Sequence, residues 1–171
     1  MHKVIDLFAG AGGLSHGFLQ TKKYKIELAI EQSLSAQQTY IQNHPDVEIW
    51  DDINSFDDFE RFKGEIEIVI GGPPCQGFSN ANRQKFKFIS DNNNLGKKYV
   101  EFILRVEPKV FLMENVSMFQ SPTHRFYVSP EENLDILRPY FKNEEITIYE
   151  GAFSLDGKLL IEIANQRELS I

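Results

Sequence analysis

The chain has 171 residues, 42% of them apolar, a net charge of −7 and a single cysteine. That length suits one domain with a substantial core, and no signal peptide or membrane-length apolar run is visible. One cysteine excludes an intrachain disulfide framework and fits a reducing cytoplasm, and the scattered His2, His16, His44 and His124 lack metal-ligand spacing, so no metal is expected.

Short apolar runs alternate with amphipathic stretches, the pattern of βαβ units and a parallel sheet. The runs predict strands over Lys3–Phe8, Ile26–Glu31, Glu48–Trp50, Ile66–Ile70 and Val110–Glu114. Helices are predicted over Gly13–Thr21, Ser35–Asn43, Ser55–Phe62, Leu95–Val106 and Glu131–Phe141. Ser55 reads as an N-cap, with Asp57 and Asp58 at the positive helix end. Phe88–Asn94 is polar and turn-prone and reads as a loop. Toward the carboxyl terminus, Ile146–Tyr149 and Lys158–Ile163 predict a hairpin about an Asp156-Gly157 turn. The expected fold class is therefore α/β, one domain over 1–171, doubly wound around a mostly parallel sheet.

Chemistry gathers where the strands end. Val4 to Leu7 leads into Phe8-Ala9-Gly10-Ala11-Gly12-Gly13-Leu14-Ser15, a strand, a glycine turn and a helix start. Such a turn lets the backbone approach a ligand, and the helix start offers free N–H groups to an anion. It can equally serve strand–helix packing, and the spacing matches neither the dinucleotide fingerprint nor the P-loop. Phe8 at the rim is placed to stack on a flat base. Glu31 ends the second strand, where a carboxylate can bind both ribose hydroxyls. Asp52 follows the third strand, suited to accept a hydrogen bond from an adenine amino group. Each acid alone also fits a solvated strand end.

Cys75 lies in Gly71-Gly72-Pro73-Pro74-Cys75-Gln76-Gly77-Phe78-Ser79, directly after an apolar strand. A lone cysteine is often an inert core residue. Core cysteines do not need Pro-Pro before them, and two prolines hold the approaching chain stiff and extended. The pattern reads as a nucleophile. Glu114 leaves an apolar strand, where desolvation without a partner would raise its pKa. Parallel strands put Glu114, the glycine turn and the cysteine loop on one side, so a thiol and a proton-donating acid are expected together. No histidine or lysine base accompanies the cysteine. Residues 80–109 carry a net charge of +4 within an acidic chain, either a solvated face or a local surface for phosphates.

At these residues the chain resembles the cytosine-5 DNA methyltransferases. The resemblance rests on Asp6-Leu7-Phe8-Ala9-Gly10-Ala11-Gly12-Gly13, on Gly72-Pro73-Pro74-Cys75-Gln76-Gly77-Phe78-Ser79 and on Glu114-Asn115-Val116. Glu31 with Asn43-His44-Pro45, Asp52-Ile53 and Asn94-Leu95 support it. It covers about Val4 to Phe119, a family-like core over 1–119 with a divergent part over 120–171. It implies the Rossmann-like methyltransferase fold and S-adenosylmethionine bound by Phe8, Gly10, Ala11, Gly12, Gly13, Leu14, Glu31, Asp52, Ile53, Pro74 and Leu95. Phe8 would stack on adenine, Glu31 hold the ribose and Asp52 the adenine amino group. Cys75 would attack C6 of a flipped cytosine in duplex DNA while Glu114 protonates N3, with Pro74 and Asn115 beside them.

The departures are specific. Asn93 stands where the family usually has arginine in an Asp-Xaa-Arg-Asn segment. The Gln-Xaa-Arg-Xaa-Arg motif, the target-recognition domain and the closing helix are missing, and Gln166-Arg167-Glu168 is a remnant at most. The expected protein is the amino-terminal catalytic portion of a DNA cytosine-5 methyltransferase, served by a complementary subunit or left from a longer gene. The alternatives are an RNA cytosine-5 methyltransferase and a cofactor-binding module without turnover. The Gln-Gly-Phe-Ser continuation favours DNA over RNA. Intact Cys75 and Glu114 speak against loss of activity.

Overall fold

A computed structural model of the protein describes residues 1–74, 91–115, 125–128, 147–149 and 152–156. They form two compact units, Met1–Pro73 with Arg105–Glu114, and Pro74–Leu104 with Asn115–Ile171.

The first unit is built on a five-stranded parallel sheet of β1 (His2–Leu7), β2 (Tyr24–Ile30), β3 (Glu48–Trp50), β4 (Ile68–Gly71) and β5 (Val110–Met113). Its order, β3-β2-β1-β4-β5, reverses direction between β1 and β4, so the sheet is doubly wound as expected. Val4, Ile5 and Leu7 of β1 and Leu28 and Ala29 of β2 are fully buried, because central parallel strands are covered on both faces. Two crossovers step the same way across the sheet, through α1 (Gly13–Gln20) and α2 (Leu34–Asn43). Right-handed connections therefore put both helices on one face. There Leu14, Phe18 and Leu19 of α1 pack on Val4, Ile26 and Ile70, while Tyr40 of α2 packs with Ala9 and Ala29.

One predicted helix is replaced. Only Phe59–Arg61 forms a single 3-10 turn within Ser55–Phe62. Ser55 is not a helix cap: its hydroxyl donates to the Asp52 carbonyl (2.9 Å) and accepts from Trp50 Nε1 (3.1 Å). Phe56 sits edge-on to Trp50 (centroids 5.5 Å) and to Phe59 (5.0 Å), and the Arg105 guanidinium lies 4.7 Å over the Phe59 ring. Aromatic anchoring thus overrides the helical pattern.

In the second unit, α3 (Asp91–Val106, whose last two residues belong to the first unit) starts four residues earlier than the sequence suggested. Asp91–Asn94, read above as loop, is its first turn. An antiparallel sheet has the order β6 (Arg125–Val128), β8 (Ala152–Asp156), β7 (Thr147–Tyr149). The hairpin is real but mispaired in the sequence reading. Tyr149 pairs with Ala152, so the connection falls at 150–151 and Asp156 lies within a strand opposite Arg125. The alternation Ala152-Phe153-Ser154-Leu155 carries that strand, and the Asp-Gly pair drew attention away from it. The predicted Glu131–Phe141 helix and Lys158–Ile163 strand lie outside the described residues. Among those described, no helix is long and apolar enough to cross a membrane.

Candidate active site

One register row crosses all five strands. Trp50 pairs with Ile30, Ile30 with Leu7, Leu7 with Gly71 and Gly71 with Met113. The next residue on three of these strands is a predicted site position, Glu31, Phe8 or Glu114, and on β4 it is Gly72, which opens the segment leading to Pro74 and Cys75. The sheet extends its hydrogen bonding one step past the row, with Glu31 N donating to Trp50 O (3.0 Å) and Glu114 N to Gly71 O (2.9 Å). These residues are therefore fixed to the sheet's carboxyl edge, where open α/β folds bind ligands.

The glycine turn sits on this edge beside Glu31. The Gly10 amide donates to Glu31 Oε2 (2.8 Å) and the Ser33 amide to Oε1 (2.7 Å). Gln37 Nε2 holds the Glu31 carbonyl at 2.6 Å. Each carboxylate oxygen keeps a second lone-pair site, so Glu31 can still accept two hydroxyl donors from a direction set in advance. Phe8, half-buried, has φ 58, where a bulky side chain is rarely found. Unlike Lys22 and Glu107, which have positive φ just past the ends of α1 and α3, Phe8 terminates no helix. Strain of this kind collects at ligand sites.

Gly12 also has positive φ (90) and forms the start of α1 without a side-chain cap. A Cβ there would lie 2.6 Å from His44 Nε2 and 2.9 Å from the Tyr40 ring, whereas one at Gly10 or Gly13 would meet nothing within 4 Å. The turn thus has an open face, at Gly10 and Gly13, and a braced one at Gly12. Ala11 is exposed and Leu14 half-buried against the sheet. Asp52 is half-buried, and its Oδ1 accepts the Asn54 amide and Nδ2, both at 2.9 Å. Its Oδ2 accepts from none of the described residues. Ile53 is 7% exposed.

Glu114 departs from expectation in one respect. It is exposed, and alternate β5 residues Val110 and Leu112 are exposed with it, so the desolvation inferred from an apolar strand is absent. Its Oε2 lies 3.2 Å from where a Gly72 Cβ would stand. A Cβ at 72 would be tight against that carboxylate, which would have to give by a few tenths of an ångström. Pro74, Leu95 and Asn115, all half-buried, belong to the second unit. Cys75 and the residues through 90 lie outside the described residues, as does Gln166-Arg167-Glu168.

A buried polar chain escaped the sequence reading. Asp6 is fully buried in β1, and its Oδ2 accepts the Ser15 hydroxyl at 2.7 Å. That hydroxyl lies 2.7 Å from Tyr40 Oη. Because the serine proton is committed to the carboxylate, Tyr40 donates to Ser15. Asp6 Oδ1 is buried without a partner among the described residues. Burial pushes the Asp6 carboxyl up to about 6, opposed by the Ser15 hydroxyl and amide and aided by the Glu31 charge. Burial likewise raises the Tyr40 phenol above its ordinary value. A short-spaced Asp…Ser pair around the glycines was the available signal. The tyrosine was not foreseeable without the α2 crossover.

These groups fit S-adenosylmethionine. Glu31, Asp52 and Glu114 gather at one sheet edge, with Asp6 buried just behind the first turn, a negative surround for a cationic sulfonium nucleoside. Glu31 has each oxygen held by a backbone amide, and Phe8 has a positive φ. Among the described residues no group of His, Cys, Asp or Glu could hold a metal.

A doubly wound sheet with this carboxyl-edge arrangement is the Rossmann-like α/β architecture that binds nucleotide-type ligands. The model of the C-5 cytosine-specific DNA methylase family matches residues 2–145, and the chain belongs to that family. It is 45% identical over 116 residues to the type II methyltransferase M.DdeI of Desulfomicrobium norvegicum, covering 66% of this chain and 27% of that protein. It is 37% identical over 134 residues to the DNA (cytosine-5)-methyltransferase PliMCI of Paracentrotus lividus, covering 70% of this chain and 8% of that protein. The chain thus spans about a quarter or less of the length of these relatives. Among solved structures, a DNMT2 mutant of Spodoptera frugiperda aligns with TM-score 0.56 at 21% identity, over 74% of this chain and 43% of that one. Dnmt2 of S. pombe aligns at TM-score 0.54 and 18% identity, over 76% and 44%. At these identities the likeness concerns the fold.

Proposed function

We propose that this chain is the cofactor-binding and catalytic portion of an enzyme that methylates C5 of cytosine in duplex DNA. The observation that carries the reading is the single register row that sets Phe8, Glu31, Gly72 and Glu114 at adjacent strand ends. Pro73, Pro74 and Cys75 follow Gly72 directly in the chain. Phe8, the glycine turn, Glu31 and Asp52 would hold S-adenosylmethionine, which supplies an electrophilic methyl group when bound.

The protein's own residues account for the rest of the chemistry. The Cys75 thiolate adds to C6 of a cytosine flipped from the helix, and Glu114 gives a proton to N3, so the electron pair released by addition gathers at C5. Once C5 carries its methyl group, its proton leaves to a base, the C6–sulfur bond breaks and the N3 proton returns to Glu114. The aromatic ring and the thiolate are both restored. A free thiol has a pKa of about 8.5, so the site must favour the thiolate. Flipping the base costs a few kcal/mol, which contacts to DNA must supply. With a net charge of −7 this chain offers little such surface, which supports a complementary portion carrying target recognition.

The test is covalent capture. Incubated with S-adenosylmethionine, duplex DNA containing 5-fluorocytosine and the carboxyl-terminal portion of a relative, the chain should form an adduct at Cys75, located by mass spectrometry. An adduct that persists in Cys75→Ser would refute the mechanism, and preferential capture on RNA would reassign the substrate.

A further inference from the structure

We infer that Tyr40 on α2 and His44, the residue that caps its end, are positioning residues for the cofactor turn: they hold Gly12 and Ser15 from behind so that the Gly10 and Gly13 face stays open and fixed. The inference rests on the cofactor reading given above, and adds to it residues from an element with no part in the predicted pocket.

Three contacts make the brace. His44 Nε2 lies 3.3 Å from the Gly12 carbonyl, which can only accept, so that nitrogen carries a proton. Tyr40 Oη reaches Ser15 Oγ at 2.7 Å, and the Ser15 hydroxyl donates a hydrogen bond to Asp6 Oδ2 at 2.7 Å. The two rings pack on each other with centroids 4.7 Å apart, and together they fill the space where a Gly12 Cβ would stand. Tyr40 and His44 are 0% and 5% exposed, so water does not substitute for either. The His44 amide closes the end of α2 by donating to the Tyr40 carbonyl at 2.8 Å, which keeps the two side chains side by side.

The turn cannot keep this shape alone. Phe8, Gly10 and Gly12 all have positive φ, and Gly12 caps α1 without a side-chain hydrogen bond. Its contacts on the ligand side are the Gly10 amide to Glu31 and the Gly12 amide to Ala9 (2.9 Å). The Ala9 amide also donates to the Ile30 carbonyl (3.0 Å) and the His16 amide to the Gly12 carbonyl (2.8 Å), and side-chain contacts from behind come from His44 to Gly12 and from Tyr40 to Ser15. A loosened brace would leave Glu31 in place but let the turn drift beneath the cofactor.

The experiment uses the full chain with Tyr40→Phe, His44→Leu and His44→Gln, the last keeping a donor at similar reach. S-adenosylmethionine affinity is measured calorimetrically at a temperature where circular dichroism shows each variant folded. Hydrogen exchange of a peptide spanning 9–14 is followed without ligand. Tyr40→Phe and His44→Leu should weaken binding about five- to tenfold, the scale of one buried hydrogen bond, and speed exchange in the turn. His44→Gln should restore most of both. Unchanged affinity and exchange alongside a lowered melting temperature would make the two residues merely structural and overturn the inference. Should the wild type bind no cofactor while exchange still accelerates in the variants, the brace stands and the cofactor reading falls. Should exchange not change, the brace falls whatever the cofactor does.

Discussion

The Gly10 amide donates to Glu31 Oε2 at 2.8 Å, tying the turn after β1 to the end of β2. The bond joins the two parts of the chain assigned to the cofactor before any ligand arrives. Preorganisation of this kind lowers the entropy lost on binding. The predictions below concern the groups around this link.

The fully buried Asp6 makes stability depend on pH in an unusual direction. Its folded pKa is raised from 3.8 to about 6, so between those values the folded state binds more protons than the unfolded. Its contribution is fully present below about pH 4 and is lost as pH rises through 6. The shift corresponds to roughly 3 kcal/mol. Urea unfolding of wild type and Asp6→Asn between pH 4 and 8 should show the wild type losing about that much relative to the variant. Parallel pH profiles would mean Asp6 does not titrate in the folded protein.

Gly12→Ala and Gly10→Ala separate crowding from backbone strain. Both positions have positive φ, but only at Gly12 does a Cβ collide, 2.6 Å from His44 Nε2. Gly10→Ala should cost about 1 kcal/mol, and Gly12→Ala about 2–4 kcal/mol. Equal losses in thermal melts would contradict the braced face.

Phe8 offers a reversal of a usual rule. Glycine in ordered structure is normally worse than alanine by about 0.5–1 kcal/mol. With φ 58 at this position, Phe8→Gly should be the more stable of the two by about 1 kcal/mol. Both should lose cofactor affinity alike, because both lose the ring. Chemical denaturation with parallel titrations checks the pair.

Much of this site was legible in the sequence because it sits at strand ends. Apolar runs ending in Phe8, Glu31 and Glu114 mark the edge of a parallel sheet, and all five strand assignments are within two residues at each end of the observed strands. Pairing partners decided what was not legible. Ser55–Phe62 has a helical pattern, yet its aromatic side chains are captured by Trp50 just before it and by Arg105 from far along the chain. The exposure of Glu114 follows from β5 burying one face only partly, which an apolar strand alone does not reveal. Tyr40 reads as an ordinary apolar position of α2, and its link to Asp6 exists only once two right-handed crossovers stack both helices on one face.

The most direct test of the account is a calorimetric titration of the folded chain with S-adenosylmethionine, alongside Glu31→Ala and Glu31→Gln. Glu31→Ala removes the acceptors of the Gly10 and Ser33 amides as well as the ribose ligand. The account predicts measurable binding by the wild type, at least about tenfold weaker in Glu31→Ala, the cost of one charged hydrogen-bonding group. Glu31→Gln should fall between, since its amide keeps one acceptor. A folded wild type that takes up no cofactor, or binding indifferent to both substitutions, would contradict the assignment of this edge as the cofactor site.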